Sequence, residues 1–348
     1  MSHNKQLDAL LSRVRMAADD AKDEKGFDPV FSMLRDFQRD VGPLKYDNSA
    51  KWYVCGALGA LGAAFTLAWF VSPGLQQGLG EAAYIVMGAF GLAVLVMLGV
   101  IGTANSAFDE ISDLIFEKDV GFDNRLTPVD VDDTGRDLYH QLKEAFGDFR
   151  SRGDESRYIQ EMVKGDWTGT EHSFPYEYYV FHYVRVYYVT VTRKVGNQTV
   201  TTRERRTETL HRYGLLLDFP FVKGIAVQSG GGSYDYEDGH QPTSEEFSGT
   251  YEVGADSAQQ AAKFLKPAVV LAFIELNRHF SGLNVEINRA GRMNIAFSDG
   301  DVLDLGRKYS IRQPDEFEAE IKEHLALPKL RMLLQFVETL KKHSDSNF

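Results

Sequence analysis

Four arginines, Arg203, Arg205, Arg206 and Arg212, fall on one predicted strand, and guanidinium groups so arranged suit anion recognition. Side chains alternate along a strand, so Arg203 and Arg205 share one face while Glu204, Arg206 and Glu208 share the other. They form a candidate anion-binding patch for lipid headgroups or phosphates. A solvated hairpin whose charges pair across strands accounts for the same residues with fewer assumptions, because Glu204 and Glu208 dilute the positive field. The loop Tyr234 to His240 gathers carboxylates and an imidazole that could offer a divalent cation three oxygen ligands. It lacks the spacing of a calcium-binding loop, and an exposed acidic turn is the simpler reading.

None of the nine histidines forms a metal pair of the HExxH kind, and His182, set among aromatics, reads as a core or rim residue. The chain has no GxSxG, no phosphate loop ending in Gly-Lys-Ser/Thr and no GxGxxG; Gly230-Gly231-Gly232 leads into acidic residues rather than a helix. Cys55, the one cysteine, lies in an apolar run, which removes both a thiol nucleophile and an internal disulfide. Tyr176, Tyr178, Tyr179, Tyr183, Tyr187 and Tyr188 could stack a ligand, but cross-strand packing explains them more simply. No residue set argues for an enzyme, and neither metal nor cofactor is expected.

The elements that must position these residues begin with two apolar runs. Trp52 to Ser72 carries no charge and at ~1.5 Å per residue reaches roughly 31 Å, enough to cross a bilayer core. Ala82 to Ala107 is also uncharged, and its residues 82–103 suffice to span. Gly56, Ala60 and Ala64, like Gly59 and Ala63, recur every four positions and would let helix backbones approach in lipid. Arg35, Arg39, Lys45 and Lys51 precede the first run, and Lys118 and Arg125 follow the second. The connector Pro73 to Glu81 has neither lysine nor arginine. The positive-inside bias therefore predicts an antiparallel hairpin in a bacterial inner membrane with both termini cytoplasmic and Pro73–Glu81 as its tight outer turn. The polar first 25 residues make this an internal anchor rather than a cleaved leader.

Residues 1–51 read as a cytoplasmic helical segment. Its helices are expected over Gln6 to Arg15 and Asp28 to Asp40, the second with an apolar stripe of Val30, Phe31, Leu34 and Phe37. That stripe lies on the inner leaflet or packs on the main domain, and packing is the plainer choice. Residues 52–107 form the hairpin and 108–136 a juxtamembrane helix and linker. Residues 137–342 read as an α+β domain of antiparallel strands with packing helices, followed by a tail at 343–348. Within it, Asp137 to Lys164 is expected to be helical. Tyr176 to Val191 and Thr199 to His211 are expected to form a long hairpin about Gly196-Asn197. Further strands are predicted within Tyr213 to Gln228 and at Phe247 to Val253, Leu283 to Asn288, Arg292 to Phe297 and Val302 to Leu305. Helices are predicted at Ala258 to Leu265, Pro267 to Phe280, Asp315 to Ala326 and after Pro328.

Several of these residues match a known pattern: Glu246-Phe247, Tyr251-Glu252-Val253, Asp256, and Ala261-Ala262-Lys263-Phe264-Leu265-Lys266-Pro267. Val285-Glu286-Ile287, Met293-Asn294-Ile295-Ala296 and Tyr213-Gly214-Leu215-Leu216 extend it. Over roughly Asp137 to Leu340 the chain resembles the bacterial membrane-protein family known only as domain of unknown function 3137. The resemblance implies an N-terminal membrane hairpin with a cytoplasmic α+β domain, and it implies no catalytic residue and no ligand. Lysine plus arginine total 38 against 50 aspartate plus glutamate, a net charge of −12, which argues against a nucleic-acid partner. The expected partners are the lipid bilayer and a protein partner or a second copy joined through the small-residue helices. Three readings stay open: a non-enzymatic anchored domain that binds a protein or anionic partner, which leads; an anchored enzyme such as a hydrolase with an unidentified site; and an oligomeric pore component.

Overall fold

The computed structural model describes residues 2–195, 198–237 and 239–345; the side chains of 103–105, 195, 198 and 200 lie outside the description. Chain contacts divide the protein into two units, Met1–Phe122 with Gly306–Leu325, and Asp123–Leu305 with Ala326–Phe348.

The first unit contains α1 (His3–Asp20), α2 (Asp28–Asp40), α3 (Ser49–Val71), α4 (Pro73–Leu79), α5 (Ala82–Asp123) and, from the later segment, α11 (Pro314–Ile321). Helices α3 and α5 are long and apolar enough to cross a membrane. The connector expected as a tight turn instead winds into α4, with Pro73 in its first turn, where a missing N–H costs nothing. Helix α2 has the expected bounds, and Val30, Phe31, Leu34 and Phe37 are all buried. The stripe packs within this unit, Phe31 meeting Phe317 of α11 edge-on at 6.1 Å. Arg35 bonds Asp315 at 2.7 Å and also pairs with Glu318. Past its apolar stretch α5 becomes a polar strut. Lys118 donates to the carbonyls of Ala18 and Asp19 at 2.8 and 2.6 Å, placing a cation on the negative end of α1. Arg307 reaches Asp113 at 2.6 Å, and the Ser112 hydroxyl accepts from the Ile311 amide at 3.0 Å.

The second unit is mixed helix and sheet. Its helices are α6 (Gly135–Ala145), α7 (Gly147–Arg150), α8 (Glu245–Ser248), α9 (Ala258–Phe264), α10 (Pro267–Asn277) and α12 (Pro328–Asp345). Its strands are β1 (Thr127–Pro128), β2 (Glu155–Thr168), β3 (Ser173–Val195), β4 (Gln198–Asp218), β5 (Ile225–Gln228), β6 (Glu252–Ala255), β7 (Asn284–Ile287) and β8 (Arg292–Phe297). They form one eight-stranded sheet in the order β1-β2-β3-β4-β8-β7-β5-β6, antiparallel at every junction. One core cluster holds Tyr139 and Leu142 of α6, Phe149 of α7, Ile159 and Met162 of β2, and Tyr179 and Phe181 of β3. Elsewhere in the unit, Phe273 of α10 meets Phe336 of α12 edge-on at 5.0 Å. Gly214 lies where an added Cβ would collide with the Ile295 carbonyl oxygen and the Tyr179 hydroxyl, so its place between β3 and β8 excludes any larger residue.

Three expectations about elements of the second unit fail for physical reasons. The segment Glu155 to Lys164, expected as the end of the helix begun at Asp137, belongs to β2. A register shift between Ile159 and Glu161 leaves Gln160 as an extra residue, so Ile159 and Met162, three apart, both become buried. A bulge thus imitates helical spacing. Phe247 is not in a strand, because the Ser244 hydroxyl accepts from the Phe247 amide at 3.4 Å and starts α8; the strand there is β6. Val302 to Leu305 is irregular, held by Asp301, whose carboxylate accepts from the Leu303 amide at 2.8 Å.

Candidate functional site

Strands β3 and β4 are much longer than their neighbours. β2 pairs with β3 only as far as Val184, and β8 pairs with β4 only from Tyr213 onward. Residues 185–195 and 198–208 therefore form a free two-stranded ribbon, about 35 Å long at ~3.3 Å per residue. None of its described residues is buried. The expected tip, Gly196-Asn197, lies outside the described residues. The ribbon carries Arg185, Arg193, Lys194, Arg203, Arg205 and Arg206 against Glu204 and Glu208, a formal charge of 6 − 2 = +4. At its root the Val186 amide donates to the Asp154 carboxylate at 2.8 Å; beyond that no sheet strand pairs with its edges among the described residues, and Tyr187 and Tyr188 are 41% and 53% exposed.

Three of the four candidate arginines stand on this ribbon. Arg203 lies over the Tyr188 ring at 4.5 Å, Arg205 bonds both oxygens of Glu155 at 2.6 and 2.7 Å, and Arg206 is 3.8 Å from Glu204. All three are exposed. Arg212 does not join them. It is fully buried at the ribbon's root, where Nε and Nη2 bond the two oxygens of Asp148 in α7 at 2.9 and 3.1 Å and Nη1 bonds Ser298 at 2.6 Å. Alternation along a strand assigns a face but not a depth, and Arg212 is a structural cation rather than part of a surface patch.

The Asp148–Arg212 pair is the centre of a buried polar network. Arg152 reaches Asp148 at 3.1 Å and the carbonyls of Gly230 and Gly231 at 2.7 Å each. Asn284 of β7 donates to Asp148 at 2.7 Å and to Gly231 at 2.8 Å. The triple glycine of the sequence thus turns the Gly230 and Gly231 carbonyls toward Arg152 and Asn284, and the Gly230 amide donates to Asn284 at 2.9 Å. Burial alone would raise the Asp148 pKa, but Arg212 and Arg152 outweigh it and hold the carboxyl below its ordinary value.

Beside this network lies a cleft of about 220 Å³ lined by Glu144, Arg150, Asp235, Tyr236, Glu286, Asn288 and Arg289 with two alanines. Glu286 of β7 is 2% exposed. Its carboxylate accepts from the Gly147 amide at 2.7 Å and from the Tyr236 hydroxyl at 3.1 Å. Burial pushes its pKa up to about 7. Both arginines are already engaged: Arg150 bonds Asp235 at 2.5 Å, and Arg289 bonds both oxygens of Asp256 at 2.6 and 2.8 Å. No serine, cysteine or histidine is among the described lining residues, so the cleft offers proton exchange and charge recognition but no such nucleophile.

The loop proposed from sequence as an acidic turn contributes Asp235 and Tyr236 to this cleft, while Asp238 lies outside the described residues. Among the described residues no group of three or more histidine, cysteine or carboxylate side chains could hold a metal ion. His182 is half-buried, stacks on Tyr158 at 4.6 Å, and sits 3.3 Å from His211 nitrogen to nitrogen. Burial and then His211 lower its pKa. Sequence reading missed Asp148 and Glu286 as site residues. The available signal was Asn284-Val285-Glu286-Ile287, whose alternation suggests a solvated polar face, yet all four residues are buried. No family profile, no curated protein and no solved structure matches the chain.

Proposed function

We propose that the protein is a non-enzymatic binding module, anchored in a bacterial inner membrane by a two-span hairpin, whose α+β unit faces the cytoplasm and docks an anionic partner on its basic ribbon. The ribbon carries the reading: a projecting arm of charge +4 on a chain of net charge −12, with its arginines exposed. Such local charge steers an oppositely charged partner, and strand edges that no other strand of the sheet covers can add backbone hydrogen bonds. Two apolar helices support the anchor, as do the ring contacts Phe65–Phe90 at 6.5 Å and Trp69–Tyr84 at 5.3 Å, which suit antiparallel neighbours. The absence of lysine and arginine from residues 73–81 supports the orientation. Kinship with the family named above is part of the same proposal.

Full-length protein in neutral-lipid nanodiscs tests the ribbon. Binding to phosphatidylglycerol vesicles and to polyglutamate should exceed binding to phosphatidylcholine and weaken steeply with salt. The double variant R203E/R205E should lose at least tenfold in affinity for the preferred polyanion, and preference between the two probes distinguishes a lipid from an acidic protein. Unchanged binding by the variant would overturn the reading. Topology has its own check: a cysteine at Gln77 should react with an impermeant thiol reagent added outside the cell, and one at Ser2 should not.

A further inference from the structure

The Glu286 cleft is independent of the ribbon and asks for a different ligand. Its charges are unevenly satisfied. Arg150 and Arg289 each have a carboxylate partner, Asp235 and Asp256, which offsets their charge. Glu144 at the exposed rim and Glu286 at the buried end form no ion pair among the described residues. A carboxylate has about four acceptor positions, and the Gly147 amide and Tyr236 hydroxyl occupy two of those on Glu286. Acceptor capacity therefore remains on a desolvated anion, the environment in which a partner of opposite charge gains most.

Size and geometry narrow the class. A cleft of about 220 Å³ has room for a short amine. A bare calcium or magnesium ion wants six or more oxygen ligands, and among the described residues no group of three or more histidine, cysteine or carboxylate side chains is gathered to supply them. An organic cation needs only one or two carboxylates and places its alkyl stem along Ala145 and Ala290.

We propose that this cleft binds a small organic cation, an alkylammonium or alkylguanidinium, seated on the Glu286 carboxylate with Glu144 at the mouth. The charged and titratable groups about Glu286 are Arg150 and Asp148 from α7 and Tyr234 and Tyr236 from the glycine-led loop. Asp148 stays ionised and both tyrosines stay neutral near pH 7, so Glu286 alone among them changes charge there. Cation and proton then compete for the same carboxylate.

Calorimetric titration of the full-length protein in detergent, with butylammonium, butylguanidinium and butyrate as probes, tests this. One of the two cations should bind saturably at a single site, roughly tenfold more tightly at pH 8 than at pH 6, as expected for a carboxylate that ionises with a pKa of about 7. Butyrate should not bind. E286Q should abolish both the binding and its pH dependence, and E144Q, at an exposed position that leaves the fold intact, should weaken it several-fold. The R203E/R205E variant should bind the cation normally, which separates this site from the ribbon. Absence of saturable binding by either cation, equal binding of butyrate, or unchanged affinity in E286Q would each overturn the proposal.

Discussion

Replacing Asp148 by alanine is expected to lower the melting midpoint of the α+β unit by roughly 6–20 °C, the shift that about 3–5 kcal/mol produces in a unit of this size. Both members of the Asp148–Arg212 pair are 1% exposed, so bulk solvent does not reach the charge that remains. The substitution strands the Arg212 guanidinium and removes the acceptor shared by Arg152 and Asn284. That is the costly way to break a buried pair, because a desolvated charge stays behind. Removing both charges should be gentler: D148L/R212M should melt above D148A, although it loses one more native group. Near-UV circular dichroism of the full-length protein in detergent reads the transition. A double variant destabilised by the sum of its singles would show that the two charges are not coupled. The pair also has a pH signature. The Asp148 carboxyl is held below its ordinary pKa, so its contribution is present above about pH 4, the unfolded value, and disappears as pH falls through the lower folded one.

How far the chain could be read beforehand depends on which physical rule controlled each segment. The two apolar helices follow from composition alone, and α2 follows from Asp28-Pro29 and one buried stripe, so local rules sufficed. The β3–β4 hairpin was equally legible, since β-branched and aromatic residues dominate Tyr176 to Val191. β2 was not, because the bulge at Gln160 is set by the register with β3 and leaves no mark on propensity. The candidate site divides the same way. Arg203, Arg205 and Arg206 are exposed on the ribbon that their alternation suggested. Arg212 is buried because α7 brings Asp148 to it across 64 positions of sequence, a distance no local pattern reports. Glu286 was hidden for the opposite reason. Its alternation with Val285 and Ile287 is that of a half-solvated strand, and only the packing of α7 and the glycine-led loop removes the water.

A second expected result is that E286Q stabilises the protein at alkaline pH. Burial pushes the Glu286 pKa from 4.5 up to about 7; the Gly147 amide, the Tyr236 hydroxyl and Arg150 oppose the rise, and Asp148 adds to it. The sign follows from linkage. Between pH 4.5 and 7 the folded protein holds a proton that the unfolded chain has released, so stability falls as pH rises through that window. At about 1.4 kcal/mol per pH unit the loss is about 3 kcal/mol, complete above pH 7. Glutamine can accept from the Gly147 amide through its oxygen and donate to the Tyr236 oxygen through its nitrogen, so both native contacts have a counterpart. The wild type and E286Q should therefore melt at similar temperatures at pH 5, with the variant about 6–12 °C higher at pH 8. Parallel melting profiles across this range would show that Glu286 titrates as an ordinary carboxyl. The proposed cation bears on the same quantity. A ligand that binds ionised Glu286 should raise the wild-type midpoint at pH 8 toward that of E286Q, while leaving the variant unmoved, because it offsets the buried charge that costs the wild type its stability there.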